Sequence, residues 1–246
     1  MTKTIILIPS RLAATRLPNK PLLKINDISI INHVYQKAKL SEIGDVFVAT
    51  GDKEIFKEVT NKGGKCILTE KEHQTGTDRI FEAYQKLELN NVDYIINLQG
   101  DEPMIDIEDI KNLNTNAIKN KSQIATLACK IKDKNIFNKN NIVKVITDEK
   151  ISIKNMSRAN TFLRKMSFNN YVNIYHHIGI YMYKVSILEK FVNLKQSKNE
   201  IDQKLEQLRA IDNKLEINVI LANSSPIGVD TEEDFLELKK IMNYKN

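Results

Sequence analysis

Three cations and no acid follow the first apolar run of the chain. Ile5-Ile6-Leu7-Ile8 stops at Pro9, and the residues beyond it carry Arg11, Arg16 and Lys20. A short β-branched run closed by a turn signal reads as a buried strand. Three like charges on one loop repel one another, and an anion among them relieves that cost. In open α/β sheets, ligands bind outside the carboxyl ends of the strands, which is where this loop would lie. The pattern suits a polyphosphate. A solvated basic turn in a lysine-rich chain is the competing reading.

Two acidic positions could complement that loop. Asn97-Leu98-Gln99-Gly100-Asp101-Glu102-Pro103 closes the apolar run that starts at Tyr94. Gly100 permits a tight turn, and Asp101 beyond it would face the same crevice. A carboxylate there suits a hard cation such as Mg²⁺; otherwise it is a turn residue satisfying backbone groups. Gly228-Val229-Asp230-Thr231 precedes the last helix, with Thr231 and Asp234 spaced as a capping box. That leaves Asp230 as a second metal carboxylate or a plain turn residue. Two separated aspartates and a cationic loop fit phosphoryl-type transfer, which depends on positioning and charge neutralisation.

Other polar residues read less sharply. Gly76-Thr77-Asp78-Arg79 opens a helix, and free N–H groups there favour an anion. Arg79 can pair with a substrate phosphate or carboxylate, or with a protein acid. His176 and His177 begin a strand, where neighbours face opposite sides and make a poor metal clamp. His177 alone reads as a packed residue. In Leu205-Glu206-Gln207-Leu208-Arg209 the two leucines face inward, and spacing alone leaves Glu206 and Gln207 solvated.

The elements that must position these residues alternate between strand and helix over the first 130 residues. Strands are expected at 5–8, 45–50, 65–68, 94–98 and 123–131. Helices are expected at 30–40, 54–61 (ended by Gly63-Gly64), 77–87 and 106–120. Such alternation predicts an α/β fold with a doubly wound, mostly parallel sheet. The second half changes character. Paired strands are expected at 142–147 and 151–154 around Asp148-Glu149-Lys150, with further strands at 177–183 and 216–221. Helices are expected at 185–193, 202–213 and 231–242. With no internal repeat and no Pro/Gly/Ser linker, one domain over 1–246 with a small mixed-sheet insertion at about 135–215 is the simplest organisation.

Composition narrows the partners. Of the 246 residues, 41% are hydrophobic and 28% charged, as in ordinary globular proteins. No apolar stretch approaches the roughly 20 residues of a membrane span. The start lacks the apolar region and cleavage site of a signal peptide, so a cytoplasmic protein is expected. Net charge is +6, but the lysines are scattered and no nucleic-acid motif appears. Small anionic molecules are the expected partners, rather than nucleic acid or membrane. Cys66 and Cys129 lie in short apolar runs without metal spacing and read as small buried hydrophobes.

Taken together, IPSRLAATRLPNKPL, HQTGTDR, NLQGDEP, HHIGIY, LEQLR and GVDT resemble, in that order, the blocks of the CMP-Kdo synthetases, or 3-deoxy-manno-octulosonate cytidylyltransferases. The resemblance runs from Ile5 to about Leu238. The first block is shared widely among sugar nucleotidyltransferases; HQTGTDR, NLQGDEP and HHIGIY together are much more specific. It implies a Rossmann-like nucleotidyltransferase fold, CTP and the acid sugar Kdo as substrates, Mg²⁺ as cofactor, a role in lipopolysaccharide biosynthesis and a homodimer. It further implies that Arg11, Arg16 and Lys20 neutralise phosphates and that Asp101 and Asp230 hold the metal. Gly76 and Thr77 would contact the cytosine through backbone groups. Arg79, Gln99, His177, Glu206 and Gln207 would lie at or near the sugar acid, and Tyr181 would line it. Other readings are a relative activating sialic acid or amino-Kdo, and a non-catalytic nucleotide- or nucleic-acid-binding protein. The chain departs from the family pattern in three places. Asn19 stands where Gly is usual, Asn160-Thr161-Phe162 follows Ser157-Arg158-Ala159 in place of a Pro-rich run, and Ala210-Ile211-Asp212-Asn213 follows LEQLR in place of an aromatic stretch. Asn tolerates positive φ, so the first loop is expected to survive its change.

Overall fold

A computed structural model describes residues 2–13, 16–131, 133, 137, 139–165, 172–225 and 227–243. Two compact units emerge, one from 3–110 with 226–246 and one from 111–225. The first unit contains β1 (Thr4–Ser10), β2 (Lys24–Ile25), β3 (Ile28–Ser29), α1 (Ile30–Leu40), β4 (Val46–Thr50), α2 (Lys53–Asn61), β5 (Cys66–Leu68), α3 (Gly76–Lys86) and β6 (Tyr94–Asn97). Helix α4 (Ile107–Lys119) follows, and α8 (Glu232–Asn243) closes the chain. Strands β5, β4, β1 and β6 lie side by side in that order, all parallel. This is the doubly wound arrangement expected from the alternation. Ile5 to Ile8 are fully buried, because a central parallel strand is covered on both faces.

Local chemistry sets the boundaries. Helix α2 stops at Gly63 (φ 76), whose N–H bonds to Thr60 O while that of Gly64 bonds to Val59 O. Such a left-handed glycine end satisfies the last carbonyls. Strands β2 and β3 form a small hairpin that sequence reading missed. Its turn is Asn26-Asp27, both at positive φ, and Asn and Asp tolerate that region better than most. Asn19 also takes positive φ (56), as expected, just before the 3₁₀ turn Lys20–Leu22. A cluster of Ile25, Ile30, Val229 and Leu238 ties the start of α1 to α8.

The second unit contains β7 (Ile124–Lys130), β8 (Lys144–Thr147), β9 (Ser157–Leu163), β10 (Ile174–Lys184), α5 (Val185–Val192), α6 (Lys198–Gln203), α7 (Leu208–Asp212) and β11 (Ile217–Leu221). Its sheet is mixed: β7 is antiparallel to β10 and parallel to β11, while β9 is antiparallel to β8 and β11. Three expectations fail here. The strand expected at 151–154 is absent, and β8 pairs instead with β9, Lys144 opposite Leu163. Ile151 is buried all the same, its N–H bonded to the Tyr175 hydroxyl, so its apolar character serves the core without a ladder. Strand β10 begins at Ile174, which puts His177 inside it rather than at its start. The helix expected at 202–213 is two helices, because Lys204 (φ 52) ends α6 in the left-handed region. Cys129 is buried as expected, but Cys66 is only half-buried; desolvation still pushes its thiol up to about 12. No helix among the described residues is long and apolar enough to cross a membrane.

Candidate active site

A cavity of about 570 Å³ opens in the first unit beyond the carboxyl ends of β1 and β6. There β1 separates β4 and β5 from β6, the switch point at which open α/β sheets bind ligands. Pro9, at the end of β1, is wedged between two glycines. A Cβ on Gly100 would fall 2.9 Å from Pro9 O, and one on Gly76 would fall 3.2 Å from Pro9 Cγ. Neither glycine has positive φ among the described residues, so close approach explains them; Gly100 does lie in the turn expected of it.

The cavity wall gathers the cations and both carboxylates: Arg11, Arg16, Lys20, Gln99, Asp101 and Asp230 all line it. Lys20 Nζ lies 2.6 Å from Asp101 Oδ2 and 3.3 Å from Asp230 Oδ1. Arg16 Nη2 reaches Asp230 Oδ2 at 3.2 Å in a much more exposed pair. The N–H of Val229 donates to Asp101 O at 2.9 Å, so the backbone also ties the two acidic segments together. The capping box read from sequence is present. Asp234 N–H donates to Thr231 Oγ1, while its carboxylate accepts from the N–H groups of Thr231 and Asp230. Asp230 keeps its own carboxylate for the cavity.

Glu102, passed over in sequence reading, adds a third carboxyl. Its Oε2 is buried with no hydrogen-bond partner among the described residues. Burial, with smaller contributions from Asp101 and Asp230, pushes its pKa up to about 8. The donor set is therefore hard oxygen only, in an acidic corner with Lys20 as its nearest counter-charge. No group of three or more Asp, Glu, His or Cys arranged to hold an ion occurs among the described residues. A cation taking two carboxylates from the protein and its other ligands from water and phosphate fits Mg²⁺, and these residues fit that requirement.

The loop on the far wall is fastened from α3. Arg79 is 3% exposed, and its terminal nitrogens donate to Thr69 Oγ1, Glu70 O and Lys71 O. It lines the cavity while holding the backbone of 69–71. One turn on, Glu82 accepts from Glu70 N–H and from Lys86 and lies 2.5 Å from His73 Nε2. Burial raises the Glu82 carboxyl, but those bonds outweigh it and hold the pKa below the usual range. Gly76 lines the cavity, whereas the side chain of Thr77 is buried beneath it, near Asn97. Thr75 caps α3 with Asp78, a capping box visible in the spacing but not read. Asp52 was missed too, for it looks like an ordinary cap of α2. Its carboxylate instead accepts from Leu12 N–H at 2.8 Å and anchors the cationic loop.

The remaining expected residues belong to the second unit. His177 is buried, with Nε2 3.0 Å from Thr126 Oγ1 and its ring edge-on to Phe162. The register of β10 against β7 slips by two residues between Ile178 and Tyr181. An even slip preserves side-chain parity, so His177 and Tyr181 stay on one face with ring centroids 5.3 Å apart. Burial pulls His177 down to about 3 and pushes the Tyr181 phenol well above its usual value. The Tyr181 hydroxyl is buried without a partner among the described residues. Glu206 is close enough to raise Tyr181 further, and one of its carboxylate oxygens is buried. The solvated position expected from spacing is therefore wrong for Glu206: the break at Lys204 turns its side chain inward. Gln207 is half-buried at the start of α7.

Comparison with known proteins gives the chain a family. A cytidylyltransferase family model matches residues 5–217. The 3-deoxy-manno-octulosonate cytidylyltransferase of Thermodesulfovibrio yellowstonii is 43% identical over 98% of both chains. That of Brucella anthropi is 39% identical over 94% of this chain and 93% of its own. The solved structure of a CMP:2-keto-3-deoxy-manno-octonic acid synthetase complexed with CTP covers all of both chains at a TM-score of 0.91 and 32% identity. By sequence along nearly its whole length and by fold, the chain belongs to the 3-deoxy-manno-octulosonate cytidylyltransferases.

Proposed function

We propose that the protein transfers the cytidylyl group of CTP to Kdo, giving CMP-Kdo and pyrophosphate for lipopolysaccharide assembly. The anomeric hydroxyl of the sugar acid forms a bond to the α-phosphorus, the bond from that phosphorus to pyrophosphate breaks, and the hydroxyl proton is released. The observation that carries this reading is the convergence of Lys20, Arg16 and Arg11 with Asp101 and Asp230 on one cavity at the switch point.

Each residue then has a definite task. Arg11 and Arg16 meet the β- and γ-phosphates, and an incoming anion competes with Asp101 and Asp230 for Lys20. Stabilising the departing pyrophosphate this way needs fixed charges more than covalent help. Asp101 and Asp230 would hold Mg²⁺, which when bound supplies charge neutralisation and favours the ionised sugar hydroxyl. Arg79, with Glu82 and His73, keeps the wall around Gly76 in place for the base. His177, Tyr181, Glu206 and Gln207 form the sugar-acid side of the reaction. A homodimer in the cytoplasm belongs to the same reading and is supported by the family alone.

Pyrophosphate release from CTP and Mg²⁺ tests the assignment. Turnover is expected with Kdo and not with sialic acid; turnover with sialic acid alone would overturn it.

A further inference from the structure

The hydrogen bond of His177 has a direction that the surrounding atoms decide. The Thr126 hydroxyl owns one proton. Its Oγ1 lies 2.7 Å from Ile180 O and 3.2 Å from Ile178 O, and carbonyl oxygens only accept. If the proton went to His177 instead, a hydroxyl lone pair would face Ile180 O at that short range with nothing between them. The proton therefore goes to the main chain across the slip in β10. Oγ1 then has only lone pairs to offer His177 Nε2 at 3.0 Å, so Nε2 carries a hydrogen and donates it. Burial keeps the ring neutral near physiological pH, since its pKa falls to about 3. A neutral imidazole with its hydrogen on Nε2 has a bare Nδ1. That nitrogen makes no hydrogen bond among the described residues.

We propose that Thr126 is a positioning residue: it locks His177 in the Nε2–H tautomer, so that Nδ1 accepts a hydrogen bond from a hydroxyl of the sugar acid and is mismatched to its carboxylate. This rests on the reading of His177 as part of the sugar-acid site. A carboxylate offers only acceptors, and two acceptors facing each other repel; a polyol hydroxyl supplies the missing hydrogen. The lock explains why a strand-borne threonine is fully buried beneath a histidine: it fixes the tautomer without adding charge.

Long-range ¹H–¹⁵N spectra, with the His177 signals assigned by their loss in His177→Phe, read the tautomer directly. Steady-state kinetics on Thr126→Val, Thr126→Ser and His177→Phe read its consequence. The expected results are an Nε2–H tautomer in the wild type and a KM for Kdo raised about tenfold in Thr126→Val, or about 1.4 kcal/mol. The KM for CTP should not change, and Thr126→Ser should restore most of the loss. An Nδ1–H tautomer in the wild type, or an unchanged Kdo KM in Thr126→Val, would overturn the proposal. If Thr126→Val does not fold, the wild-type spectrum and Thr126→Ser decide the matter. A His177→Phe enzyme with wild-type KM for Kdo, alongside an Nε2–H wild-type spectrum, would instead overturn the sugar-site reading.

Discussion

The two units build their polar sites by opposite means. In the first, charge faces charge around an open cavity: Lys20 meets Asp101 and Asp230, and Arg16 meets Asp230 in a pair 62% and 49% exposed. In the second, His177 and Tyr181 are buried and neutral, and the buried charges of Glu200 and Arg209 are spent on each other. Glu200 and Arg209 form a bidentate pair with side chains about 5% and 4% exposed, and the guanidinium also lies over Phe191. Cations that can exchange partners suit a polyphosphate, whereas buried, fixed donors and acceptors suit hydroxyl groups. The difference is between a site built on exchangeable charge and one built on buried, fixed hydrogen-bonding groups.

Four experiments test that contrast. The largest effect is expected at Asp101→Asn, which keeps shape but removes charge. Turnover should fall at least about 100-fold with the circular dichroism spectrum and Tm little changed. Arg209→Ala should do the reverse, costing about 3–5 kcal/mol because Glu200 is left buried without its partner. At roughly 2–4 °C per kcal/mol for a chain of this size, calorimetry will resolve it easily. His177 should shape the acid limb of stability. Its folded pKa lies below its unfolded value, so stability is complete above pH 6.5 and drains away as pH falls toward about 3. His177→Gln should flatten the pH dependence of Tm in that window. The smallest effect is expected at Arg16→Ala, less than about 1 kcal/mol in the ligand-free protein, since its ion pair is solvated. A raised KM for CTP whose excess over wild type shrinks as ionic strength rises would show its charge at work.

What the sequence disclosed, and what it hid, follows from distance along the chain. Thr231 and Asp234 are three residues apart, so their mutual capping could be read directly, whereas the positive φ at Asn19 was foreshadowed only by the family resemblance, which has Gly there. Asp52 and Leu12 are 40 residues apart, and nothing local marks a cap residue whose carboxylate is engaged elsewhere. Arg79 shows the same limit: nothing local tells that this first-turn arginine in the cavity wall also holds the carbonyls of Glu70 and Lys71. Strand β9 escaped because Arg158 and Asn160 on its solvent face diluted the apolar signal of Ala159 and Phe162. Glu206 was misjudged because helical spacing was carried through Lys204, where one left-handed residue redirects everything after it.

Joint action of Asp101 and Asp230 on a metal-bound nucleotide in the first unit's cavity can be seen directly. Crystals grown with CTP and Mn²⁺ in place of Mg²⁺ test it through the anomalous signal of manganese. The expected result is a peak coordinated by both aspartates, with Lys20 turned to the phosphates. A nucleotide bound in that cavity with no peak touching either carboxylate would contradict it.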